Sequence, residues 1–365
     1  MLFIAAIFLV SLVPFLLTLK PVLRDAELVQ ELRPLAPFPS SWQGGAMDVD
    51  KNYARFEKWF ADHVGLRNLM IRAKNEIDYR LFRSSRRVYF GADDQLFGRS
   101  IADIELPATE RLLDTPQKIE AVYQGVVRFS EKLRAQGITP IFLAPIQKQY
   151  FSGDRLPFFA PRLPDASNFM KLYERLNTSS EIHFVDVLGI IRSKQSEFPA
   201  YYRQDFHWTD LTAHAVAAAT TDRIALLEGA KRGWRHPLEI QYEPFVGSEA
   251  RFSALLSSTA LQEPMLKKTW TERHRLQQLD PKSTGLEFET GALEGDDLLP
   301  PTCMFGNSFS DGMLRAGTVE HFRTFTKIDR ALPLQEVPRL IQNKCKYLIV
   351  QVLDIQTGHW LSLTK

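Results

Sequence analysis

An α/β fold, with a mostly parallel sheet and helices on both faces, is what this sequence predicts, on three observations. Its 365 residues are 45% hydrophobic and 11% aromatic, enough for a sizeable buried core. From Thr115 onward, short apolar runs alternate with helix-periodic segments, the pattern of strands joined by helical crossovers. Only residues 235–298 break that rhythm; they are polar and irregular and read as an insertion.

The elements follow in order. Met1–Leu19 carries no charge and is about as long as a span across a hydrocarbon core of ~30 Å. Pro14 is tolerable in such a helix. A signal peptide would need a basic start and a small-residue cleavage site, and Lys20, Pro21 and Arg24 follow instead. Residues 1–19 are therefore expected to be an uncleaved membrane anchor, and the Pro-, Ser- and Gly-rich residues 20–45 a linker to one domain over 46–365. Taken alone, Lys20 and Arg24 would put that domain in the cytoplasm. A helix is predicted over about Asp50–Phe82, from the spacing of Phe56, Trp59, Phe60 and Val64. RVYFGADDQLFG reads as a β-hairpin. Thr115 and Pro116 open a helix with Ile119, Val122, Val126, Phe129 and Leu133 on one face, and Gly137 closes it. Strands are expected in ITPIFLAP, HFVDVLGII, PTCMFG, FRTFTKI and KYLIVQV, with helices at Asn168–Leu176, after Thr209, after Ser308 and at Leu334–Gln342.

Charge and cysteine usage narrow the function. A net charge of +2 gives no reason to expect a nucleic-acid partner. The basic run Arg80, Arg83, Arg86 and Arg87 reads as a solvated face, with a polyanion contact as the sharper alternative. Cys303 and Cys345 form no CxxC; buried thiols are the plain reading, and a disulfide is permitted if the domain is extracytoplasmic.

Two segments carry chemistry. In MFGNSFSDG (304–312) a strand runs through a glycine and a serine into a helix. That lifts the Ser308 hydroxyl to the C-terminal edge of the sheet, where α/β proteins place their sites. The helix N-terminus brings N–H groups and the positive dipole end to the same point, as an oxyanion site requires. Ser308 as a plain helix cap is the ordinary alternative. In YYRQDFHWTD (201–210), Asp205 and His207 stand two apart just before a helix capped by Thr209. An imidazole can act as base to a serine while a carboxylate fixes its tautomer. A solvated pair and a metal-ligand pair are the alternatives, but no third and fourth ligand stands at a suitable spacing. Trp208 either walls a pocket or packs in the core.

The sequence also resembles the AlgJ/AlgX-type SGNH-hydrolase-like O-acetyltransferases of bacterial exopolysaccharide modification. ELRPLAPFP, FEKWFADHVGLRNLMI, FGADDQLFG, LAPIQKQYF, DFHWTDLTA and FGNSFSDG carry the likeness, across most of residues 31–320. Gln95 stands where Trp is usual, and Thr212 where Gly is common. The resemblance implies an SGNH-like three-layer fold, with Ser308 as nucleophile, His207 as base and Asp205 as its orienter. Ser308 and Asn307 become oxyanion candidates, and Trp208, Lys148, Tyr150 and Arg203 rim candidates for substrate. It implies transfer of acetyl groups to an alginate-like exopolysaccharide, supplied by a membrane-bound O-acyltransferase. It also implies an inner-membrane, single-pass protein with a periplasmic domain, no cofactor and no metal. The length is closer to AlgJ and leaves no room for the carbohydrate-binding module of AlgX-like members. An esterase with the same three residues, and a non-catalytic polysaccharide-binding protein, are the rival readings.

Overall fold

The computed structural model describes residues 12–18, 35–39, 49–164, 166–230, 233–276, 285–291, 297–328 and 330–364. They fall into two compact units: Met1–Val88 with Ser248–Thr259, and Tyr89–Gly247 with Ala260–Lys365.

In the first unit the helix expected over 50–82 is two helices, α1 (Val49–His63) and α2 (Arg67–Phe82). The break has a steric cause. A side chain on Gly65 would put its Cβ 2.5 Å from Leu17 Cβ and 2.6 Å from the Pro14 carbonyl. Leu66 follows in the left-handed region at φ 61°, which a helix cannot continue through. Along α2, Glu76 accepts from Arg80 Nε at 2.7 Å and from the Ser257 N–H and hydroxyl at 3.0 and 2.8 Å. Those bonds, Arg80 first, hold its carboxyl down at about 2. Arg83 lies 4.5 Å over the Tyr79 ring, so part of the basic run is spent on its own helix. Residues 12–18 are helical. The rest of the expected anchor, 1–11 and 19, lies outside the described residues, as does most of the linker. Among the described residues no helix is long and apolar enough to cross a membrane.

The hairpin is present as β1 (Val88–Phe90) and β2 (Leu96–Gly98). Asp93 and Asp94 turn it with φ of 53° and 59°, a conformation that short polar side chains tolerate. Next come α3 (Leu106–Leu112), α4 (Pro116–Arg134), β3 (Thr139–Leu143), α5 (Asn168–Asn177) and β4 (His183–Val185). Thr115 caps α4 by accepting the Lys118 N–H at 3.3 Å. The strand expected in HFVDVLGII ends early, because Asp186 caps a new helix, α6 (Val187–Lys194), through the Gly189 N–H at 2.9 Å. Helix α7 (Asp210–Glu228) is followed by the antiparallel pair β5 (Ile240–Phe245) and β6 (Leu261–Leu266). Then come β7 (His274–Leu276), β8 (Gly285–Thr290), β9 (Thr302–Phe305), α8 (Ser308–Arg315), β10 (Thr324–Ile328), β11 (Tyr347–Gln351) and α9 (Thr357–Ser362).

The central sheet has the order β4-β3-β11-β9-β10-β8-β7. Its first five strands are mutually parallel, while β8 and β7 extend it antiparallel. Successive strand residues face opposite sides, and the core divides accordingly. Phe142, Cys303, Phe305, Leu348 and Val350 pack with residues of α4 and α5. Ile141, Leu143, Met304 and Ile349 pack with residues of α6, α7 and α8. The result is a three-layer arrangement of helices on both sheet faces. Cys303 and Cys345 are joined in a disulfide, with Cα atoms 5.8 Å apart, and the plain reading of two buried thiols is corrected.

Candidate active site

β9 carries the chain to the C-terminal edge of the sheet at Phe305, and α8 starts at Ser308. The turn between them admits no side chain at Gly306. A Cβ there would sit 2.7 Å from both Gln351 Oε1 and Ser310 Oγ. Asn307 is the helix cap. Its Oδ1 accepts the Phe309 N–H at 3.0 Å, and its Nδ2 donates to Gln356 Oε1 at 3.0 Å. The Asn307 N–H goes to Gln351 Oε1 at 3.0 Å, and the Ser310 N–H to the Asn307 carbonyl at 3.0 Å. Ser308 itself is partly exposed. As the first residue of the helix, its N–H has no carbonyl to meet within α8.

Asp205 and His207 sit in a loop closed by an isolated antiparallel bridge between Tyr201 and Trp208. The two-residue spacing works because Asp205 makes a tight local turn. Its Oδ1 accepts the backbone N–H of His207 at 2.9 Å and also lies 2.6 Å from the ring Nδ1. The other ring nitrogen, Nε2, lies 2.7 Å from Ser308 Oγ. A carboxylate only accepts, so Asp205 selects the tautomer with hydrogen on Nδ1 and leaves Nε2 to accept from the serine. The Asp205 side chain is 9% exposed and that of His207 24%. Phe206 lies against the imidazole with ring centroids 3.9 Å apart, and Phe309 at 5.0 Å. Thr209 caps α7 through the Thr212 N–H at 3.2 Å, so the threonine found in place of the usual glycine is accommodated at the helix start.

The rim candidates fare differently. Lys148 is buried rather than on a rim. Its Nζ lies 3.0, 2.8, 2.6 and 3.4 Å from the carbonyls of Leu96, Tyr202, Arg203 and Asp205. An ammonium with three hydrogens can gather such carbonyls and fix the loop that bears Asp205. Trp208 is also buried, 1% exposed, and donates its indole N–H to the Phe309 carbonyl at 3.1 Å. It joins the two segments from within the core instead of lining a surface. Tyr150 is half-buried and bonded to Ser167 Oγ at 2.8 Å, and burial pushes its phenol well above the usual range. Arg203 binds the buried carboxylate of Glu263 at 3.0 Å and the Gln262 carbonyl at 2.7 Å, tying the loop to β6.

Three polar residues of the neighbourhood were not picked out from sequence. Gln351 ends β11 and accepts the Asn307 N–H. Gln356 holds the Asn307 side chain and also accepts the Leu353 N–H at 3.0 Å. Lys327, on β10, donates to the Gly306 carbonyl at 2.7 Å. None lies in a motif; Gln351 and Lys327 are polar residues at strand ends and Gln356 directly precedes α9, and those positions are the only signal. Among the described residues no group of three or more His, Cys, Asp or Glu side chains could hold a metal ion.

Comparison with known proteins adds to this geometry. The family model described as SGNH hydrolase-like domain, acetyltransferase AlgX, matches residues 88–322. No curated protein matches the chain. Among solved structures, Bacillus cereus PatB1 with a sulfonyl adduct is similar at 10% identity and a TM-score of 0.51, over 77% of this chain and 100% of that one. The O-acetyltransferase domain of Pseudomonas putida AlgJ aligns at 14% identity and a TM-score of 0.49, over 76% of this chain and 98% of its own. Pseudomonas aeruginosa AlgX aligns at 13% identity and a TM-score of 0.46, over 76% and 66%. At such identities only the fold is at issue, and of the three the Bacillus cereus match bears on it.

Proposed function

The chain belongs to the AlgX family of SGNH hydrolase-like acetyltransferases, and from that premise we propose that it moves an acetyl group through an acyl-enzyme on Ser308. The observation that carries this reading is the single imidazole of His207, 2.6 Å from Asp205 and 2.7 Å from Ser308. Ser308 Oγ attacks the carbonyl carbon of an acetyl donor while its proton passes to His207 Nε2. Asp205 holds the ring by Nδ1 and stabilises the imidazolium. The oxyanion forms at the N-terminus of α8, where the Ser308 N–H and the helix dipole favour negative charge. The C–O bond to the leaving group then breaks, and that group takes the proton from Nε2. In the second half an acceptor hydroxyl gives its proton to His207 and attacks the acyl-enzyme. The acetyl ester transfers to that oxygen and Ser308 regains its hydrogen. Asp205, His207 and Ser308 are thereby the catalytic residues of the proposal.

The acceptor we propose is a hydroxyl of an exported, alginate-like polysaccharide, with a membrane-bound acyltransferase as the source of acetyl groups. The domain then works on the periplasmic side of an inner membrane anchored through residues 1–19. Support for that side comes from the Cys303–Cys345 disulfide, since such bonds persist in oxidising compartments, and from the uncharged run Met1–Leu19. Incubation with 4-nitrophenyl acetate should leave an acetyl group on Ser308, seen by peptide mass spectrometry, and none in Ser308→Ala. With alginate-type oligosaccharides added, acetyl should appear on the sugar. Release of acetate alone, whatever the acceptor, would put the esterase reading in its place.

A further inference from the structure

Lys327 has no role in the chemistry above, yet it sits directly behind it. It lies on β10 in register with Met304 of β9, and its side chain is 9% exposed. Its Nζ donates to the Gly306 carbonyl at 2.7 Å and to the Ser310 hydroxyl. That hydroxyl in turn donates to the Asn307 carbonyl at 2.5 Å. One ammonium thus grips both ends of the segment Gly306–Ser310, with Ser308 between them. The nearest carboxylate to it among the described residues is Asp311, 3.9 Å away and half exposed. A buried charge so loosely compensated costs stability, and a packed apolar side chain would cost less.

We infer that Lys327 is a positioning residue for acyl transfer: its ammonium fixes the Gly306–Ser310 turn and adds positive charge behind the Ser308 N–H where the oxyanion forms. The inference rests on the acyl-enzyme reading. Positive charge held in a water-poor setting acts on a developing negative oxygen without reorganising. The Gly306 peptide is also turned so that its carbonyl meets the ammonium and the Asn307 N–H meets Gln351. Titration makes the idea testable. Burial dominates and pushes the ammonium down to about 8, with Asp311 of α8 opposing that and Arg330, just past β10, adding to it. Since this lies below the ordinary lysine value, the charge is present at neutral pH and is lost as pH rises through about 8.

The test uses the full chain and 4-nitrophenyl acetate, with Ser308→Ala supplying the background. Wild-type kcat is expected to fall as pH goes from 7 to 9.5. Lys327→Met should lower kcat at pH 7 by about 10- to 100-fold with KM little changed, and its kcat should no longer fall on the alkaline side. A folded Lys327→Met enzyme with wild-type kcat and the same alkaline fall overturns the inference. If that variant does not fold, the wild-type profile decides: a flat kcat from pH 7 to 9.5 overturns it equally. Acetylation that persists in Ser308→Ala would instead sink the acyl-enzyme reading, so the two failures are told apart.

Discussion

The two segments that meet at the site are built in opposite ways. The Ser308 turn is framed by regular structure, a strand end, a glycine and a capped helix, which Lys327, Gln351 and Gln356 brace from outside. The Asp205–His207 loop has almost no regular structure. It is pinned by side-chain bonds to distant parts of the chain: Lys148 reaches in to the carbonyls of Tyr202, Arg203 and Asp205, while Arg203 reaches out to Glu263, Trp208 to the Phe309 carbonyl and the Tyr201 hydroxyl to the Ile146 carbonyl. Even glycine serves them differently. At Gly306 it makes room for Gln351 and Ser310, whereas Gly247 lets a separate stretch of chain press on the loop, 1.8 Å from the Gln204 carbonyl for an added Cβ. The difference teaches where each half is fragile. The turn has a local frame that three distant side chains brace, whereas the loop has little frame beyond its side-chain bonds.

The largest effect should come from the loop's own carboxylate. Asp205→Asn keeps the shape but can donate to Nδ1 and favour the wrong tautomer. In a serine-protease triad that change costs ~10⁴ in turnover; here, at a partly open site, a loss of ~10²–10⁴ in kcat is expected, with thermal unfolding little altered. A variant at wild-type rate would remove Asp205 from the proposal. Next in size is Lys148→Met, which takes the ammonium away from the carbonyls of Leu96 and Tyr202 and leaves that of Arg203 with the Leu96 N–H. Leaving buried acceptors unmet costs ~1–3 kcal/mol each before relaxation, so a clear fall in Tm and ~10-fold in kcat should follow. Combined with Asp205→Asn, it should add little further loss of rate, because both act through one side chain. Full additivity would mean that Lys148 does not work through the loop. The smallest effect belongs to Asp210. It stands in the first turn of α7, and its carboxylate pairs with Arg315 of α8 at 2.7 Å. That pair is half exposed at its arginine end and worth under ~1 kcal/mol. Asp210→Asn should keep near-normal turnover; if it were dead while Asp205→Asn stayed active, the loop would have to be reassigned.

The same contrast decides what could be read from sequence. The strand, glycine, serine and helix at 304–312 were legible because each is specified by its neighbours in the chain. Thr209 and Thr115 as caps were legible for that reason too. Lys148 reads from sequence as a rim candidate, because the partners that bury it lie more than 50 residues away. Lys327 was hidden in FRTFTKI, where a lysine in a strand reads as a solvent-facing residue. Asp186 was lost inside HFVDVLGII, since a polar residue in an apolar run does not announce a cap. The break between α1 and α2 depends on residues 14 and 17 lying against Gly65, which periodicity cannot register. The order of the sheet was likewise out of reach, because strand neighbours are set by tertiary packing.

That order has a consequence for the timing of activity. β3 and β9 do not touch; β11 lies between them and pairs with both. β11 also follows Ser308 in the chain, and its final residue, Gln351, holds the turn that presents that serine. A nascent chain can therefore contain every residue of the proposed chemistry and still lack the wedge that brings the two halves of the sheet together. Long-range pairing of this kind is slow and comes late in folding. The turn that bears Ser308 is thus complete only once residues 347–351 have been made and paired.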